Sequence, residues 1–157
     1  MLDSYLNILQ ESLEKKLETL KHIEEINHVQ SETLRQEELN MEAFDRTVDE
    51  KDIYVEELNK LDEGFETLYD RVKEELSADR SKYAVQIRHL QKLISEITDK
   101  SVSIQAEESR NKALLENYFA RQRKDLGKVR KSSKAAYGYY QNMNNKKTDS
   151  LFLDKKK

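Results

Sequence analysis

Residues 83–119 read YAVQIRHLQKLISEITDKSVSIQAEESRNKALLENYF. Tyr83, Ile87, Leu90, Leu93, Ile94 and Ile97 recur at steps of three and four, which winds one apolar stripe along a helix. From 98 to 112 the stripe changes character, and Val102, Ile104 and Ala106 are the apolar positions left. It resumes in ALLENYF and fades through RQRKDLGKVRKSSKAAYGYY. Proline and glycine are the usual punctuation between elements, and this chain has no proline and three glycines. The spacing therefore predicts one helix from position 80 to about 142, about 90 Å long if unbroken.

Two helices are expected before it. The first runs from Asp3 or Ser4, either of which can cap its free amides, to the mid-thirties. Its stripe is Leu6, Leu9, Leu13, Leu17, Leu20, Ile23 and Ile26, with Glu, Lys, Asn and Gln between as the solvated face. SETLRQEELNM holds the first turn, and Asn40 is positioned as the N-cap of the second helix, which is expected over 41–76. The second stripe is Phe44, Val48, Val55, Leu58, Leu61, Phe65, Leu68, Val72 and Leu76, with Ile53 and Tyr54 beside it. Gly64 interrupts it without shifting its phase, so the helix is read as continuous. LSADRSKY is the second break, with Ser77 or Asp79 capping the third helix.

The fold class is all-α, an antiparallel bundle of three long helices with the third the longest. Helices of about 35 residues span about 50 Å and cover only the first half of a 90 Å third helix. Residues from about Asn111 onward are thus expected to project, fold back, pair with a second copy or order on binding. The domain division is a bundle over 1–115 and a C-terminal extension over 116–157. Truncation after Asn117 is expected to leave a folded bundle with unchanged melting behaviour and no client binding.

Composition narrows the function classes. The absence of cysteine excludes disulfides, thiol catalysis and Cys-bearing metal sites. The N-terminal MLDSYLNILQESLEKK has an acid at position 3 and no uninterrupted apolar run, so it reads as neither a signal peptide nor a membrane span, and the expected location is cytoplasmic. There is no Gly-rich phosphate cradle and no nucleophile motif, and no cofactor is expected. Glu25 and His28 match the Glu-x-x-His step of di-iron bundles, but Gln86 stands three before His89, where a second copy would need an acid. Neither an enzyme nor a metal protein is indicated.

The charge is segregated. Up to Leu76 there are 22 acids against 9 Lys and Arg; from Ser77 there are 9 acids against 19. An acidic hairpin beside a basic helix accounts for that, and so does an interaction surface. The run RQRKDLGKVRKSSK at 121–134 carries seven bases against Asp125. A basic helix with aromatics nearby could engage phosphates, but the overall pI near 5.8 and the lack of a nucleic-acid-binding fold argue against it.

The densest aromatic cluster lies beyond the core pattern. KSSKAAYGYYQNM, at 131–143, holds Tyr137, Tyr139 and Tyr140 of the chain's eight tyrosines. Numbered as a helix, Leu115, Tyr118, Phe119, Leu126 and Val129 share one broad face, and with the three tyrosines and Met143 they make the candidate partner-binding set. Tyrosine gives large contact area at low entropic cost, which suits an interface. Packing on the bundle, or closure of a homodimer, is the alternative use of the same residues.

DEKDIYVEELNKLDEGFETLYDRVKEEL, the stretch over 83–119, KAAYGYYQNM and the closing SLFLDKKK together resemble FlgN-like flagellar proteins of the clostridial type. The likeness runs from about Met41 to the C-terminus, and ITDKSVSIQAEESRNK is its most distinctive part. It implies a small antiparallel helical bundle that acts as a cytosolic export chaperone of the flagellar type III secretion system. Such a chaperone keeps hook-associated (hook–filament junction) proteins soluble by binding their C-terminal helical segments. It also docks at export gate and ATPase components, for which Tyr118, Tyr137, Tyr139 and Tyr140 are the candidate tyrosines. The competing reading is a coiled-coil structural or assembly component without client chaperone activity. The polar interval at 98–112 disfavours it, because a long coiled coil needs unbroken heptads.

Overall fold

The computed structural model describes residues 2–122 of the chain. Over them the fold is all-α: α1 spans Leu2–Leu34, α2 Met41–Ala78 and α3 Ala84–Gln122, with no strand among the described residues. The short connections make α2 antiparallel to both neighbours, so α1 and α3 run parallel. α1 packs along both other helices, while α2 and α3 come equally close at no more than isolated positions. The first helix is therefore the spine of the bundle.

Its stripe explains that role. Leu6, Leu9, Leu20 and Ile23 are almost fully excluded from water. Each such side chain contributes about 1.5–3 kcal/mol relative to exposure. The main apolar cluster joins them to Val55, Leu58, Val72 and Leu76 of α2 and to Ile87, Leu90, Ile97 and Ile104 of α3. A second, smaller cluster closes the other end with Leu34, Leu39, Phe44, Val48, Leu115, Tyr118 and Phe119.

The boundaries follow local chemistry. Asn40 caps α2: its side-chain oxygen accepts from the Ala43 amide at 3.1 Å. At the second turn the expectation needs correcting. Asp79 ends α2 rather than capping α3, its amide donating to the Glu75 carbonyl at 3.2 Å. Its own carbonyl then accepts from Lys82, and the α3 ladder takes hold with the Ile87 amide on the Tyr83 carbonyl.

α2 passes unbroken through Gly64, which is exposed. A Cβ built there would meet nothing within 4 Å, so no neighbouring helix requires the glycine. Alanine removes backbone freedom from the unfolded chain at no steric cost. Gly64→Ala should stabilise the bundle by about 0.5–1 kcal/mol and raise the thermal midpoint by a few degrees, measurable by circular dichroism.

Of the fates open to residues from Asn111 onward, the described part takes packing on the bundle. Asn111, Leu115, Tyr118 and Phe119 are all buried. The reason is length: α2 has 38 residues and α3 has 39, so the antiparallel α3 reaches the start of α2 only near its own Gln122. The apolar side chains of Leu34, Leu39, Phe44 and Val48 need that last stretch of α3 as their cover. The described bundle thus passes 115, and 123–157 lie outside the described residues.

Candidate functional site: a buried polar layer

Between the two apolar clusters all three helices turn polar at the same height. Asn27 and Gln30 from α1, Thr47 and Lys51 from α2, and Glu108 and Asn111 from α3 are each buried. Parallel packing of α1 and α3 sets residue 27 beside 107–111, and antiparallel packing of α1 and α2 sets it across from 51.

Lys51 is the hub. Its ammonium donates to Glu108 Oε1 at 2.6 Å, Asn27 Oδ1 at 2.9 Å and Gln30 Oε1 at 3.0 Å, which uses all three of its protons. Asn111 Nδ2 donates to the Asn27 carbonyl and to Gln30 Oε1, both at 3.1 Å. Gln30 Nε2 donates to the Thr47 hydroxyl at 3.1 Å, and that hydroxyl donates to the Phe44 carbonyl at 2.6 Å. At the rim Asn27 Nδ2 donates to Glu107 Oε1, and Lys100 reaches Glu24 at 3.0 Å. The network links three helices but leaves one gap. Glu108 Oε2 is buried with no hydrogen-bond partner.

That gap fits the electrostatics. Burial raises the Glu108 carboxyl above its ordinary 4.5, and this outweighs the charge and hydrogen bond of Lys51 and a hydrogen-bonding contribution from Asn27, while Asp52 adds repulsion. Glu107 is raised too, first by burial and then by Glu24 and Glu108, against the hydrogen bond from Asn27. A buried pair whose carboxylate is raised has a desolvation cost larger than its Coulombic gain. The layer is thus a costly interior feature.

A carboxyl with a raised folded-state pKa contributes stability that is fully present below its unfolded value, near 4.5, and lost as pH rises through the folded value. Stability should therefore rise as pH is lowered from 7 towards about 4.5. Glu108→Gln should flatten that profile, as read from urea midpoints across pH. An unchanged slope in the variant would count against Glu108 as its source.

The layer has no access for a substrate, since the Lys51 and Glu108 side chains are 3% and 5% exposed. Two surface depressions, one at Lys60, Gly64 and Arg71 and one at Tyr69, Lys73 and Ser77, are each lined by α2 alone. Glu25 and His28 of the Glu-x-x-His step face solvent, and His28 Nε2 sits 3.2 Å from Glu32. Among the described residues no group of three or more His, Cys, Asp or Glu is arranged to hold a metal, and no helix is long and apolar enough to cross a membrane.

Of the residues read from sequence as partner-binding, Leu115, Tyr118 and Phe119 come together, but inside the end cluster. The Tyr118 hydroxyl accepts from the Leu39 amide at 3.3 Å, and its ring meets Phe119 edge to face at 5.5 Å. They tie the α1–α2 connection to α3, so a partner would reach them only by opening that end. Leu126, Val129, Tyr137, Tyr139, Tyr140 and Met143 lie outside the described residues.

Sequence reasoning missed Lys51 and Glu108, which read as solvated charges in a chain rich in both. The signal was a skipped turn. Lys51 falls three after Val48 and four before Val55, a stripe position without an apolar residue. Glu108 and Asn111 fill the matching gap between Ile104 and Leu115. Comparison of the chain with family models, curated proteins and solved structures finds no match.

Proposed function

We propose that this chain is a cytosolic chaperone of the flagellar type III export system, a binding module without chemistry that holds a C-terminal helical segment of a hook-associated protein. The observation that carries the reading is the fold: the described residues form an antiparallel bundle of three helices, and a small antiparallel helical bundle is what the resemblance over 41–157 implies. Two further features support it. Tyr118 and Phe119 are committed to the interior, so among the candidate partner-binding residues the proposal rests on those beyond Gln122, which lie outside the described residues. The segment beyond Gln122 also carries most of the positive excess, with eleven bases against three acids, and it holds Tyr137, Tyr139 and Tyr140. A basic, tyrosine-bearing segment offers a client helix contact area and charge together.

The test is co-purification of the full chain, and of a 1–122 truncation that keeps both apolar clusters, with C-terminal segments of the two hook-associated proteins of the same bacterium. Complexes with the full chain alone are expected, with 1:1 or higher stoichiometry read by light scattering. No complex with either chain, together with self-association of the full chain, would replace this reading with the assembly component.

A further inference from the structure

We infer that the polar layer divides the bundle into two cooperative units, so that the end built around Phe44, Leu115, Tyr118 and Phe119 opens while the longer body stays folded. This inference is independent of the client reading.

Three observations converge. First, the two apolar clusters are separate: no residue of the end cluster belongs to the main cluster, and between them lie Asn27 and Gln30 beside Ile26 on α1, Lys51 on α2, and Glu108 and Asn111 on α3. Cooperative units follow contiguous apolar contact, so a break in it is where sub-global opening begins. Second, the layer supplies little net free energy across the break. The Glu108 carboxylate is desolvated, one of its oxygens is unpartnered, and opening of the end lets water reach that oxygen. Third, the end unit has a natural seam. It contains the α1–α2 connection, residues 35–40, and the last turns of α3, which are tied to that connection by the Leu39 amide and the Tyr118 hydroxyl. Releasing Tyr118 and Phe119 uncovers Leu34, Leu39, Phe44 and Val48 without disturbing any side chain of the main cluster.

The charged groups facing the layer come from all three helices: Glu24 from α1, Lys51 and Asp52 from α2, and Lys100, Glu107, Glu108 and Arg110 from α3. In the open end they regain water, so opening is opposed mainly by the seven apolar residues of the smaller cluster.

Native-state hydrogen exchange of the full chain, followed residue by residue in low denaturant, tests this. Amides near Phe44, Val48, Leu115 and Tyr118 should exchange at least a hundredfold faster than those near Leu58, Val72 and Leu90, with a weaker denaturant dependence. Leu115→Ala should speed the first set more than tenfold and leave the second within threefold. In the Lys51→Met, Glu108→Leu double variant an apolar bridge joins the clusters, and the two sets should converge to within about threefold. Equal rates for both sets in the parent chain would overturn the proposal, as would a Leu115→Ala effect of equal size on both. Persistence of two sets in a folded double variant would show that the layer is not the divider, and would overturn it too.

Discussion

Lys51→Met alone should destabilise the chain by about 3–5 kcal/mol, while Lys51→Met with Glu108→Leu should be at least as stable as the parent. The asymmetry comes from what each substitution leaves behind. Removing the ammonium strands Glu108 in a site where one carboxylate oxygen already lacks a partner, and deprives Asn27 and Gln30 of a donor. An uncompensated buried charge carries a cost of this size. The double variant removes both charges and fills the space with apolar atoms of similar length. Replacement of a buried ion pair in that way is often neutral or stabilising by about 1–4 kcal/mol. Here the gain belongs at the low end of that range, because the amide oxygens of Asn27 and Gln30 still lose Lys51. Urea unfolding of the two single variants and the double gives the coupling directly. Equal losses in Lys51→Met and in the double would mean that the ammonium acts through the amides and not through Glu108.

The second large effect concerns where the folded bundle ends. A chain truncated after Asn117 should lose about 3–5 kcal/mol or more relative to a chain truncated after Gln122, with a fall in helical melting temperature of ten degrees or more. Loss of a buried aromatic ring accounts for about that much by itself, and this cut removes Tyr118 and Phe119 together. The Leu39 amide loses its acceptor at the same time, and Leu34, Phe44 and Val48 are left facing water. The 1–122 chain keeps every residue of both clusters and is the reference for the comparison. Matching melts for the two truncations would mean that the last turn of α3 adds nothing to the core.

Much of the fold was legible in the residues. The steps from Leu6 to Ile26 and from Tyr83 to Ile97 place those residues on buried helix faces, with Leu17 and Ile94 half-buried at the margin. Asn40 was readable as a cap because its short amide competes for free backbone donors, and Gly64 as tolerated because the stripe kept phase across it. One local reading failed and another stayed open for the same reason. Asp79 suits an N-cap and a helix end equally by residue type, and whether α2 stops before it depends on where α3 must turn to meet α1. Leu115, Tyr118 and Phe119 suited a partner face and packing on the bundle alike, because stripe spacing tells which side of a helix is apolar and not whether another helix covers it.

The sequence alone determined three helices, their faces and the polar interval at 98–112, since each of these is a local property of spacing and residue type. Only the tertiary structure decided which polar residues of the other two helices that interval meets. Helix direction and register put Asn27, Lys51 and Glu108 at one height, and a burial cost that each would meet alone is reduced by hydrogen bonds that the others supply. Register is a property of pairs of helices, so no single stripe contains it.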